Sequence, residues 1–385
     1  MSARLGLALA FACGAVAPAC GDDGHDAPPV IGLEHTRATP ILDASGLVVA
    51  RGWARHPLFV FDRAAVPDAR QDQIREWDFY AIHAPGFAVM VTLAEVRFAD
   101  LGHFVIASVS IHDFARGDSR GQSLLLPDDG TLLDLLPTPG GNYTVSGPAG
   151  AISYGAGPAA RSIVLSLDAT PAADAAPDAP VDRIEGQLDI TIPPHDESMA
   201  LVTPFADPGT FFYENKVPAM PVTGSITLGE RRYDLPAGAS FAVMDWVRAV
   251  SPHTLDWTWA VGVGVVDGRR VGLNLGSVFG DESGGTPDAV VVDGVLNKLP
   301  PVAWTPPAAG AAATAAWRFA SADGRVALTL TPNGYRESSD VDLGFYTTTL
   351  DKPYGTWSGT VVLDDGTTLV VDGLIGAAET SHTTW

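Results

Sequence analysis

A period of two runs through this chain and constrains its fold more than any other feature. Phe87, Val89, Val91 and Leu93 alternate with Ala88, Met90, Thr92 and Ala94. Phe104, Ile106 and Ser108 alternate with Val105, Ala107 and Val109, and Ile184, Gly186, Leu188 and Ile190 with Glu185, Gln187, Asp189 and Thr191. Val326, Leu328 and Leu330 repeat the pattern. Successive side chains of a strand point to opposite faces, so this spacing predicts strands with one face on a core. Asp129-Gly130, Asp267-Gly268, Asp293-Gly294, Asn333-Gly334, Asp365-Gly366 and Asp372-Gly373 punctuate the pattern. Asp-Gly and Asn-Gly supply the positive φ that primed hairpin turns need. No long segment has a helical period with matching caps. Pro67 to Glu76 and Ala309 to Ala316 are the short stretches compatible with a helix.

The expected class is therefore all-β and antiparallel. More than a dozen strands exceed one comfortable sheet, and 385 residues suit two barrels or sandwiches. The division is expected at 217/218, giving an N-terminal unit over 31–217 and a C-terminal unit over 218–385. The Ala/Pro/Asp-rich stretch from Asp168 to Asp182 reads as a domain linker or as a long hairpin loop within the first unit.

The amino terminus reads as an address. Arg4 precedes an apolar run from Leu5 to Val16 and then small residues, the layout of a secretory signal over 1–19. Ala17-Pro18-Ala19-Cys20 resembles a bacterial lipobox, and a polar tether follows to residue 30. Lipidation of Cys20 would tie the protein to the cell envelope without a membrane span. The expected location is an outer-membrane lipoprotein facing the periplasm or the exterior. Cys13 and Cys20 are the only cysteines, so the body is expected to have no disulfide. A net charge of −22 argues against nucleic acid as a partner.

Several ordered motifs carry a resemblance. Arg51-Gly52-Trp53-Ala54-Arg55-His56-Pro57-Leu58 and Glu76-Trp77-Asp78-Phe79-Tyr80 come first. The densest stretch runs from Pro218 to Gly224, through Ala242-Val243-Met244-Asp245-Trp246-Val247-Arg248, to Trp257-Thr258-Trp259 and Gly272 to Gly276. Tyr354 to Gly359 and Gly376 to Trp385 complete it. Together they resemble the family called domain of unknown function 2804, although Val247 stands where that family's pattern carries Gly. The family is in turn distantly similar to AttH-like proteins and the carotenoid hydratase hydroxyneurosporene synthase. That resemblance implies two lipocalin-like (calycin-like) antiparallel barrels in tandem. It also implies a partner that is a lipid or another apolar, isoprenoid-like molecule.

Asp245 is the leading chemical candidate, a carboxyl group in the apolar run Phe241 to Val250. Lodged among apolar side chains, a carboxyl group stays protonated and can donate a proton, as an isoprenoid hydratase, cyclase or isomerase requires. The alternative is a structural aspartate paired with Arg248. Glu214 and Glu379 are further acids, each equally readable as a hydrogen-bonding residue. Trp257 and Trp259 share one strand face and either line a ligand cavity or fill a core. Trp53, Trp77, Tyr80, Tyr213, Trp246 and Trp357 are similar cases, and Arg248 is placed with them in the expected ligand site. For a metal, His103 and His112-Asp113 come closest, but no third ligand can be placed. The expectation is no metal and no cofactor, in a monomer that binds an apolar molecule or acts on one.

Overall fold

The computed structural model describes residues 31–98, 101–157, 159–171, 180–308, 310–344 and 346–385. The expected signal segment, Cys20 and the tether lie outside the described residues. Helix is confined, among the described residues, to three 3-10 turns at Arg63–Ala65, Asp68–Gln73 and Glu282–Gly284. The second of these occupies part of the stretch expected to be helical, and strand Ile74–Ala84 takes over from there.

The chain is all-β, in two large antiparallel sheets that each curl toward a barrel. The first has 13 strands. Its main path runs Asp118–Asp128, Gly102–Asp113, Phe87–Phe98, Ile74–Ala84, Phe241–Val250, Phe211–Leu228, Arg183–Thr191, Ala160–Asp168, Gly150–Gly157 and Tyr143–Gly147. The second has 9 strands, with Thr254–Val266 and Thr368–Thr384 at its centre and Val295–Lys298 and Val302–Thr305 at its edges. Asp168 pairs with Arg183, so the Ala/Pro/Asp-rich stretch closes a hairpin inside the first sheet. Residue 217, where the division was expected, lies inside strand Phe211–Leu228 of the first sheet. That sheet keeps Phe241–Val250 as well, so the sheet boundary falls between Val250 and Thr254. The physical reason is pairing: Phe241–Val250 bridges the two halves of the first sheet, Ile74–Ala84 on one side and Phe211–Leu228 on the other.

The turn residues divide into two uses. Asp267-Gly268 and Asp293-Gly294 have positive φ at both positions, 50° and 76°, and 51° and 86°, and close tight hairpins. Asn333-Gly334 and Asp372-Gly373 instead sit within long strands, where the register slips between Pro332 and Arg336 and between Trp357 and Ser358. Positive φ serves a bulge as well as a turn, and a bulge bends the strand so the sheet can close.

Each barrel has its own apolar core. Tyr80, Ile82, Val91, Leu93, Tyr213, Met244 and Trp246 point into the first. Leu273, Leu275, Phe319, Leu328, Trp357 and Leu374 point into the second. Both interiors are filled by side chains of the chain itself. The barrels meet wall to wall, through residues of the opposite strand parity: Ala81, Met90, Phe241 and Val243 against Trp259, Val261, Val263 and Ala377. One close approach is at a bulge between Val217 and Met220, where Ala219 has φ of 58°. A Cβ on Gly272 of the second barrel would lie 2.6 Å from Pro218 Cβ and 2.9 Å from Ala219 Cβ, so glycine is what lets the walls touch.

Candidate functional site

Lys216, Asp245 and Phe79 stand directly opposite one another on three adjacent strands, on the outer face of the first barrel. Period two then places Glu214, Asp245 and Trp77 on that same face, turned to the second barrel. From the other side, Trp259 pairs across its ladder with Glu379, and Trp257 lies two residues before it. The result is a seam of aromatic rings and buried charges between the barrels.

Two ion pairs occupy it. Lys216 Nζ lies 2.6 Å from Asp245 Oδ1 and 3.1 Å from Glu214 Oε2. Trp77 Nε1 donates to Asp245 Oδ2 at 3.2 Å. Lys352 Nζ lies 2.9 Å from Glu379 Oε2, and Trp257 Nε1 donates to Glu379 Oε1 at 2.6 Å. The Trp259 ring separates the two ammonium groups, 4.7 Å from that of Lys216 and 5.6 Å from that of Lys352. Its Nε1 donates to Asn274 Oδ1 at 2.9 Å, which fixes the ring. Trp77, Phe79 and Trp257 remain half-buried, so the seam reaches solvent beside the charges.

Burial sets the protonation of these groups. It raises the Glu214 pKa, and Asp245 adds to the effect, while Lys216 only partly offsets it. Glu214 Oε1 has no hydrogen-bond partner among the described residues. Burial opposes the charge on Lys216, but Asp245 and Glu214 outweigh it and raise the lysine's pKa. Burial likewise opposes Lys352, and Glu379 and Glu337 outweigh it. The seam therefore holds two retained ammonium groups and one carboxyl group biased toward its protonated form.

Farther along the same face of strand Ile74–Ala84, the seam opens into a cleft of about 360 Å³. His83, Gly86 and Phe114 line it from the first barrel, and Asn333, Thr356 and Ile375 from the second. Burial lowers the pKa of His83 to about 3 and that of His112 to about 4, so both imidazoles are neutral. Tyr354 stands between cleft and seam: its ring lies 6.2 Å from that of His83 and 5.7 Å from Lys352 Nζ.

The structure gathers Asp245, Glu214, Trp77, Trp257, Trp259 and Glu379 of the expected site. It does not gather the rest. Trp246 points away from Asp245 into the first barrel, where it packs 5.0 Å from Tyr213. Tyr80 shares that core and accepts a hydrogen bond from Arg161 Nε at 2.8 Å. Trp357 fills the second barrel, and Trp53 packs with Met199, Leu201 and Val291 where the two sheets meet. Asp245 does not pair with Arg248. That guanidinium is fully buried, 3.0 Å from Asp78 and 3.5 Å from Glu76, and also donates to backbone carbonyl groups of Trp77, Val247 and Leu136. It is three residues from Asp245 and so projects to the opposite face. His112 and Asp113 also part company: His112 contacts Tyr335 and Ser110, whereas Asp113 accepts from Tyr233. The sequence reading missed Lys216 as the partner of Asp245, and missed Lys352 and Phe79 altogether. The available signal for Lys216 was parity, since a lysine at i+2 from a candidate acid shares its face.

A family model described as "Domain of unknown function (DUF2804)" matches residues 33–385. No curated protein matches the sequence. Among solved structures, a protein assigned as AttH from Nitrosomonas europaea is similar at 14% identity and a TM-score of 0.42, covering 80% of this chain and 91% of that one. Kievitone hydratase from Nectria haematococca is similar at 10% identity and a TM-score of 0.41, covering 81% and 88%.

Proposed function

This chain belongs to the DUF2804 family, and we propose that it binds an apolar small molecule carrying one polar group, between its two barrels. The observation that carries this reading is the seam itself. Half-buried Trp77, Phe79 and Trp257 surround two buried lysine–carboxylate pairs, and the 360 Å³ cleft lies farther along the same barrel walls. Ligand sites combine an apolar lining with a few placed polar groups, and this volume falls in their usual range. The filled interiors of both barrels argue against binding inside either one. Trp257 and Trp77 would cover the apolar body, and Lys352 with Glu379 would take the polar end.

The test is a titration of the protein with a C20 isoprenoid alcohol, followed by tryptophan fluorescence. Saturable quenching or a blue shift is expected, with affinity falling about tenfold or more in Trp257→Ala. Absence of saturable binding would refute the reading, as would a Trp257→Ala variant that binds as tightly as the parent.

Glu214 favours a second reading, acid catalysis. Its raised pKa and unpartnered oxygen suit a proton donor to a carbon–carbon double bond, with Asp245 and Lys216 as its positioning pair. A hydratase, cyclase or isomerase acting in deuterium oxide would place deuterium on its product. Glu214→Gln should then abolish incorporation while leaving binding intact; incorporation that survives this change would remove Glu214 from the role. The amino-terminal sequence supports export and an anchor at Cys20, which Cys20→Ala would release from the membrane fraction.

A further inference from the structure

A second cluster lies at one end of the first barrel, on the inward face rather than in the seam. Strands Phe87–Phe98, Gly102–Asp113 and Asp118–Asp128 are neighbours. Their register sets His103 directly opposite Asp128, with Glu95 diagonal to it across the other ladder. One ring nitrogen of His103 and one oxygen from each carboxylate all lie within 4.8 Å of one another. His103 Nε2 is 3.3 Å from Glu95 Oε1, and Nδ1 is 3.6 Å from Asp128 Oδ2.

Three observations set this cluster apart from an ordinary ion pair. First, His103 Nε2 and Asp128 Oδ2 are buried yet make no hydrogen bond among the described residues. Buried polar atoms are rarely left so, because each costs about 1–3 kcal/mol. Second, both carboxylates are fixed from behind through their other oxygen. Leu135 N–H donates to Glu95 Oε2 at 2.8 Å. Gly130, Thr131 and Leu132 N–H groups donate to Asp128 Oδ1 at 2.9, 2.9 and 3.0 Å. Each carboxylate thus keeps one oxygen turned toward the imidazole, as outer-shell hydrogen bonds orient metal ligands. Third, the neighbourhood is short of cations. Among the described residues Arg63 is the one guanidinium at Glu95 and Asp134, at 3.6 and 2.6 Å, and it shares Glu76 with Arg248, at 2.8 and 3.5 Å.

We propose that Glu95, His103 and Asp128 bind a divalent transition-metal ion of the Zn²⁺ or Mn²⁺ type. One imidazole nitrogen with two carboxylate oxygens suits these ions, whereas Ca²⁺ and Mg²⁺ prefer oxygen alone. Three protein ligands leave further positions for water or a ligand's oxygen. The His103 side chain is 16% exposed, which gives the ion a way in.

The test strips the purified protein with a chelator and titrates it with zinc chloride, then manganese chloride, by calorimetry and thermal unfolding. One ion per chain and a higher unfolding midpoint are expected. Asp128→Asn keeps an acceptor for the three turn amides and removes the ligand charge, so it should fold and bind at least about tenfold more weakly. His103→Ala should do the same. The proposal is overturned if neither ion binds stoichiometrically, or if Asp128→Asn binds as tightly as the parent. It is also overturned if the unfolding midpoint does not respond to either ion. Should His103→Ala fail to fold, Asp128→Asn alone decides.

Discussion

Lys216→Met removes the cation on which the seam is organised and keeps most of the side-chain volume. The ammonium lies 2.6 Å from Asp245 and 3.1 Å from Glu214, and the side chain is 6% exposed. At an effective dielectric constant near 20, a charge pair at the Asp245 distance attracts by about 6 kcal/mol. Desolvation of the two ions costs several kcal/mol each and cancels much of that gain. The net worth of the intact pair is therefore small, but removal of one partner strands a buried carboxylate. The expected loss is about 3–5 kcal/mol near pH 7.5. The cation–π contact with Trp259, at 4.7 Å, adds about 1 kcal/mol. Urea unfolding followed by tryptophan fluorescence reads this loss. Protonation relieves the stranded Glu214 carboxyl group, whose pKa burial already raises, so the deficit must shrink as pH falls from 7.5 to 5. The double variant Lys216→Met with Asp245→Asn must recover part of it at pH 7.5. A loss below about 1 kcal/mol, or one that is independent of pH, refutes the argument that this seam is electrostatically coupled.

Arg248→Met leaves Asp78 buried without its guanidinium and Glu76 with Arg63 alone, and a loss of about 3–5 kcal/mol or insolubility is expected on expression and denaturation. Gly272→Ala drives a methyl group into Pro218 and Ala219; a loss of about 1–3 kcal/mol in chemical unfolding would measure the contact between the walls. Glu214 has a pKa raised by burial, so its contribution is full below the ordinary value of 4.5 and is lost as pH rises through its folded pKa. Glu214→Gln should therefore flatten the stability profile on that alkaline side. His83 and His112 have lowered values of about 3 and 4, so they contribute above pH 6.5 and lose that contribution as pH falls toward 4. His112→Asn should flatten the acid limb without changing the other, as stability measured between pH 4 and 8 will tell.

The alternation from Phe87 to Ala94 was enough to place a strand there, and the structure carries it as Phe87–Phe98. The same parity rule correctly split Asp245 from Trp246 and joined Trp257 with Trp259 on one face. It failed where the outer face of a strand is itself buried. Phe241–Val250 is buried along its whole length, so nothing in its composition says which side meets the barrel core and which side meets the second barrel. Trp246 and Trp259 look alike in sequence, yet one fills an interior and the other stands in the seam.

Strand content, the positive-φ positions and the all-β class were thus written locally, because pleat and backbone dihedral angles act over a few residues, whereas whether such a position closes a turn or bulges a strand was not. The partners of the chemically active groups were decided by strand order. Lys216 meets Asp245 because two strands pair in one register, and Glu379 joins them because a second barrel packs its wall against the first. Glu95, His103 and Asp128 converge only because three strands lie side by side and their ladders align. Such contacts depend on which strands pair and in which register, across sequence separations from eight residues to more than a hundred, and local pattern does not fix that choice.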